Sequence, residues 1–84
     1  MAYGTKFREE FLRNNPQKKM ISCSHIVSQG YGTSKYNVEW SGEWTTAELV
    51  NYCDGSTGNY GGRIESLSET ENGTYKGTVC VYYD

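Results

Sequence analysis

Apolar and polar residues alternate most regularly in the middle of this chain and at its end. Over residues 35–41, Tyr36, Val38 and Trp40 fall on one side and Lys35, Asn37 and Glu39 on the other, the two-residue period of a half-buried strand. Residues 20–28 are rich in β-formers and lack a helical period, and the glycine-bearing stretch 29–34 joins the two runs into a predicted hairpin with a long loop.

A second hairpin is predicted over residues 62–84, because Asn72-Gly73 is a strong signal for a two-residue type I′ turn. That turn sets Thr70 opposite Tyr75, Ser68 opposite Gly77, Ser66 opposite Val79, Ile64 opposite Val81 and Gly62 opposite Tyr83, on the apolar face. The wet face then carries Glu71 with Thr74, Glu69 with Lys76, Leu67 with Thr78, Glu65 with Cys80 and Arg63 with Tyr82. The pairs Glu69–Lys76 and Arg63–Tyr82 are favourable across strands, each worth roughly 0.2–1 kcal/mol.

Two stretches have helical spacing instead. Phe7, Phe11 and Leu12 form a narrow stripe over residues 6–14, with Thr5 placed to cap it and Pro16 to end it. Thr45 and Glu48 have the spacing of a capping box, Trp44 and Leu49 that of a hydrophobic staple, and Gly55 suits the left-handed residue that closes a helix over 46–54. Leu49, Tyr52 and Cys53 are its inner stripe. The predicted order is α-β-β-α-β-β: a small single α+β domain over residues 1–84, with a four-stranded antiparallel sheet and two short helices on one face.

Composition refines this picture. Eight Tyr, two Trp and two Phe in 84 residues supply large buriable area and argue against disorder. Residues 1–19 carry five basic and two acidic side chains, whereas residues 20–84 carry three basic and eight acidic ones, so a basic helical segment precedes an acidic body. No stretch approaches the ~20 apolar residues of a membrane span, and the polar start of the chain has no apolar leader, so a cytoplasmic protein with no membrane partner is expected.

Candidate chemistry is sparse. Cys23-Ser24-His25 puts a thiol and an imidazole on one side of a strand, and Cys53 and Cys80 would complete a Cys₃His set. Zinc ligands ordinarily come as close pairs, which Cys53 and Cys80 lack, and the hairpin register turns Cys80 away from Cys53. Three separate reduced thiols are expected, with no metal and no cofactor. Catalysis is not expected either, since His25 stands a strand repeat of roughly 6–7 Å from Cys23. The glycine stretch at residues 55–62 lacks the P-loop pattern and runs from helix to strand, the wrong way round for a phosphate cradle.

Binding is the expectation that remains. Tyr31, Tyr60, Tyr82 and Tyr83 are the candidate interface tyrosines; Tyr31 and Tyr60 sit beside Gly or Asn, and tyrosines in such settings are common at protein interfaces. Glu65, Glu69 and Glu71, flanked by Arg63, Lys76 and Tyr82, form a wet acidic strand face suited to a partner with a basic surface. The leading expectation is a non-enzymatic protein-binding domain with Glu65, Glu69, Glu71, Arg63, Tyr82, Tyr31 and Tyr60 at its interface, of the form a phage or mobile-element inhibitor of a host complex would take. One alternative is a nucleic-acid-binding accessory protein using the basic N-terminal helix. Another is a self-assembling structural subunit whose C-terminal strand pairs with a second copy. The partner's identity and the oligomeric state are not written in the sequence.

Overall fold

A computed structural model describes residues 4–29 and 32–83. Its elements are α1 (Thr5–Asn14), β1 (Lys19–Gln29), β2 (Thr33–Ser41), α2 (Thr46–Asp54), β3 (Gly62–Glu69) and β4 (Tyr75–Tyr82). The four strands make one antiparallel sheet in the order β1-β2-β4-β3. This is the α-β-β-α-β-β domain expected from the sequence. Among the described residues no helix is long and apolar enough to cross a membrane.

Helix α2 carries the chain over the sheet from β2 to β3 and leaves between them the slot that β4 fills. The C-terminal strand is therefore interior, paired on both sides, and offers no open edge; the open edges of the sheet belong to β1 and β3.

α2 forms as its sequence dictates. The Thr45 hydroxyl accepts from the Glu48 N–H at 3.1 Å, the Glu48 carboxylate accepts from the Thr45 N–H at 2.8 Å, and Gly55 closes the helix at φ 80°. Its inner face buries Leu49, Val50 and Cys53 against Val38 and Trp40 of β2 and Val79 and Val81 of β4. Each large apolar side chain so buried contributes roughly 1.5–3 kcal/mol.

α1 has no buried residue and docks on α2. Phe11, Trp44 and Tyr52 meet ring to ring, with centroids 5.1 Å apart for Phe11–Trp44 and 5.6 Å for Trp44–Tyr52. Arg8 reaches across to the last turn of α2. There its Nε donates to the Tyr52 carbonyl and its Nη2 to the Cys53 carbonyl, both at 2.7 Å. A cation on carbonyls that the helix leaves unpaired is a favourable C-terminal cap. The N-cap of α1 itself is Gly4, in the left-handed region at φ 81°, and not Thr5.

The C-terminal hairpin departs from the expected register. The Gly73 N–H donates to the Thr70 carbonyl at 3.2 Å and the Thr70 N–H to the Thr74 carbonyl at 2.8 Å. Glu71-Asn72-Gly73 is thus a three-residue loop with Gly73 left-handed at φ 79°, the glycine-bulge form that the same Asn-Gly pair also supports. A second irregularity lies between Ile64 and Ser66, where Glu65 is the extra residue. The resulting pairs are Ile64 with Val79, Ser66 with Thr78, Leu67 with Gly77, Ser68 with Lys76 and Glu69 with Tyr75. Ile64 keeps its place on the helix side. Leu67 and Glu69, expected on the wet face, turn to the helix side, and Ser66 and Ser68 take the outer one.

Gly77 permits this arrangement. A Cβ at that position would run into the Ser66 carbonyl oxygen, which crosses toward β4 beside the bulge. Gly77→Ala is expected to cost about 2–3 kcal/mol, seen as a Tm lowered by roughly 10 °C or more; an unchanged Tm would show that the bulge relaxes freely. Arg8→Ala is expected to lower stability by about 2–3 kcal/mol through loss of its two charge-assisted bonds, with Arg8→Lys recovering less than half. Urea midpoints at constant m measure both; an Arg8→Ala midpoint equal to wild type would remove Arg8 as the link between the helices.

Candidate functional site

The sheet has two unlike faces. Helix α2 covers one, lying over β4 and β3 and packing its inner face on β2 side chains as well, and among the described residues no helix covers the other. On the bare face Ser22, Ser24, Asn37, Ser66, Ser68 and Thr78 line a shallow polar groove of about 410 Å³. At one end of that face Lys35 donates to Glu65 at 3.0 Å, Arg63 stands 3.5 Å from the same carboxylate, and the Arg63 Nε donates to the Tyr82 hydroxyl at 3.0 Å. The hydrogen bond from Lys35 holds the Glu65 carboxyl below its usual range, aided by the charges of Lys35 and Arg63. Every cation in this cluster has an anionic or phenolic partner, and the surface is close to neutral.

The structure thus joins three of the expected interface residues, Arg63, Glu65 and Tyr82, and adds Lys35 to them. It separates the others. Glu69 lies on the helix side of β3 opposite Tyr75, and Glu71 is exposed in the turn. The expected ridge of three glutamates on one face does not exist, because the Glu65 bulge divides it. Lys76 faces Glu39 at 3.9 Å instead of Glu69, and Glu39 also accepts from the Thr74 hydroxyl at 2.7 Å. Tyr60 is 73% exposed in the loop before β3, where its N–H donates to the Tyr82 carbonyl at 2.7 Å. Tyr31 lies outside the described residues.

A second groove, of about 590 Å³, opens on the helix side where α2 begins. Trp40 forms its floor and stacks on Tyr75, with ring centroids 6.0 Å apart and 28° between planes. Ile64, Trp44 and Leu67 complete its apolar walls. Leu67 is 59% exposed, an aliphatic side chain held in water above an aromatic floor. Pockets that take ligands are built this way, mostly apolar with a few placed polar groups. The charged groups here are Glu43, Glu48 and Lys18. Glu69 stands one pleat beyond Leu67 on the same face. Leu67 escaped notice in the sequence because the two-residue turn assigned it to the wet face.

Two of the five cations of the N-terminal segment are held by the fold. Arg8 caps α2, and Lys18 donates to Glu48 at 2.8 Å while lying 5.9 Å from the centre of the Phe11 ring. Cys80 is buried on the bare face of β4, across the sheet from Cys53. Cys23, in contrast, meets Cys53 directly, with their Sγ atoms 3.7 Å apart. Sequence distance hid that pair, since the two residues are 30 positions apart. His25 stands edge-on to Tyr36 at 5.2 Å between ring centres. Among the described residues no group of three or more His, Cys, Asp or Glu is placed to hold a metal ion.

No family model, no curated protein and no solved structure matches this chain.

The groove's rim makes a prediction about pH. The hydrogen bond from Lys18 and the N–H of Thr45 hold the Glu48 carboxyl below its ordinary value. A depressed folded-state pKa adds stability above the unfolded pKa, and that stability is lost as pH falls through the folded pKa. With 26% of the Glu48 side chain exposed, the contribution is about 0.5–1 kcal/mol. Glu48→Gln is expected to be less stable than wild type by that amount at pH 7, with the difference shrinking to nothing at low acid pH. Denaturation curves from pH 2 to 7 test this; a gap that does not narrow on acidification would assign the loss to packing.

Proposed function

We propose that this protein is a non-enzymatic binding domain whose partner is another protein, and that the partner inserts an apolar side chain into the groove over Trp40. The observation that carries this reading is Leu67, exposed beside Ile64, Trp44 and Tyr75 at the point where α2 leaves the sheet uncovered. Interface energy concentrates where a large apolar or aromatic anchor fills a pocket and a polar rim excludes water. Glu43 on the rim and Glu69 beside Leu67 favour basic residues flanking that anchor, which keeps the expected basic character of the partner and moves its contact from the bare face to the helix side.

The ion-paired cluster of Lys35, Arg63, Glu65 and Tyr82 is less suited to lead binding. Its charges already satisfy one another, and a partner would have to replace those bonds before gaining any. The nucleic-acid reading is weakened in the same way, because Arg8 and Lys18 serve the fold and an acidic rim faces the groove.

A selection from a random peptide library tests the proposal, followed by titration of selected peptides against the tryptophan fluorescence of the protein. Recovered sequences are expected to share an apolar or aromatic residue flanked by Lys or Arg. Leu67→Glu is expected to weaken their binding about tenfold or more, whereas Arg63→Ala leaves it within about twofold. Peptides that bind Leu67→Glu as tightly as wild type, or that are lost in Arg63→Ala, would move the site to the bare face.

A further inference from the structure

We propose that Cys23 and Cys53 form a redox-sensitive dithiol site, which closes to a disulfide by exchange with a small-molecule disulfide such as oxidised glutathione and staples edge strand β1 to α2. The geometry is specific. The two sulfurs lie 3.7 Å apart, one on the strand at the sheet's edge and one on the inner face of the helix, and both cysteines are free. A disulfide needs sulfurs about 2 Å apart, a closure within reach of side-chain rotation and a small backbone adjustment.

The two thiols are unequal in the way such exchange requires. Cys53 is fully buried, whereas Cys23 is half-buried and lines a surface groove of about 360 Å³ with Arg8, Met20, His25, Tyr36 and Tyr52. Burial opposes a thiolate at Cys53 more than at Cys23. The hydrogen bond with Cys53 and then the charge of Arg8 lower the Cys23 pKa, while the same hydrogen bond and burial raise that of Cys53. Cys23 is therefore the accessible nucleophile and Cys53 the resolving thiol.

The exchange balances in two steps. The Cys23 thiolate attacks one sulfur of the small disulfide. That S–S bond breaks, and one half leaves as a thiolate that takes up a proton. Cys53 then gives up its proton and attacks the Cys23 sulfur of the mixed disulfide, and the second half leaves as a thiol. The protein loses two electrons and two protons, and the small disulfide gains both. Cys80 takes no part, since it lies on the opposite face of the sheet.

The test uses the whole chain, folded, treated with oxidised glutathione at neutral pH and read by thiol titration, intact mass and peptide mapping. Two of the three thiols are expected to disappear, with Cys23 linked to Cys53, Cys80 free and no glutathione retained. A cross-link spanning 30 residues is expected to raise the Tm by roughly 10 °C or more, reversibly with dithiothreitol. Cys53→Ser, which lacks the resolving thiol, is expected to keep one glutathione on Cys23. If that variant does not fold, Cys23→Ser at the half-buried position serves in its place and is expected to keep both remaining thiols reduced. Wild type that retains three free thiols, that keeps glutathione on Cys23, or that links Cys80 would overturn the proposal.

Discussion

The phase of the C-terminal hairpin is set by the extra residue at Glu65, and the accessible chemistry of the molecule follows from that phase. β4 cannot adjust, because β2 holds it on one side and α2 packs on its valines. β3 is an edge and absorbs the whole shift. With a side-chain period of two, one inserted residue turns everything beyond it to the other face. Ile64 stays with Val79 in the core, and Leu67 and Glu69 rotate to the helix side. Glu65 itself stays on the bare face, where Lys35 and Arg63 receive it.

The helical layer then decides which of those residues meet water. α2 starts at its capping box, short of the strand ends where Trp40 pairs with Tyr75. α1 does not fill the remaining space, since Arg8 and the Phe11–Trp44–Tyr52 contact tie it to α2 instead. The groove is thus what remains when a nine-residue helix covers a sheet wider than itself. The uneven charge of the sequence also changes meaning. Part of the basic segment serves as a helix cap and a rim ion pair, Glu65 on the bare face is matched by Lys35 and Arg63, and Glu43 and Glu69 stand at or near the groove.

What could be read from the sequence was local. The α2 capping box, its glycine stop, the alternation of Tyr36, Val38 and Trp40, and the place of the last turn all depend on residues within a few positions of one another. The loop length at Asn72-Gly73 did not, because that dipeptide serves both the two-residue turn and the three-residue turn with a glycine bulge. The choice between them rests on long-range packing of β4 and on the clearance above Gly77. Arg8 on the carbonyls of α2 and Cys23 beside Cys53 were illegible for the same reason: each joins residues at least 30 positions apart. Of the expected interface, Arg63, Glu65 and Tyr82 do meet, but Leu67 could not be found until the bulge was known.

The two edges bear on how a partner would be held. β1 carries unpaired extra residues at Ile21 and Ile26, and such bulges twist an edge away from further pairing. β3 carries its own bulge at Glu65, with Arg63 and Glu69 charged along the strand. Edges irregular and charged in this way resist addition of another strand. Affinity would then have to come from side chains entering a preformed recess rather than from a ladder of backbone bonds. That favours a short anchor of one or two residues over an extended strand, and it places the greatest sensitivity at Leu67 and Tyr75 instead of along the backbone of β3.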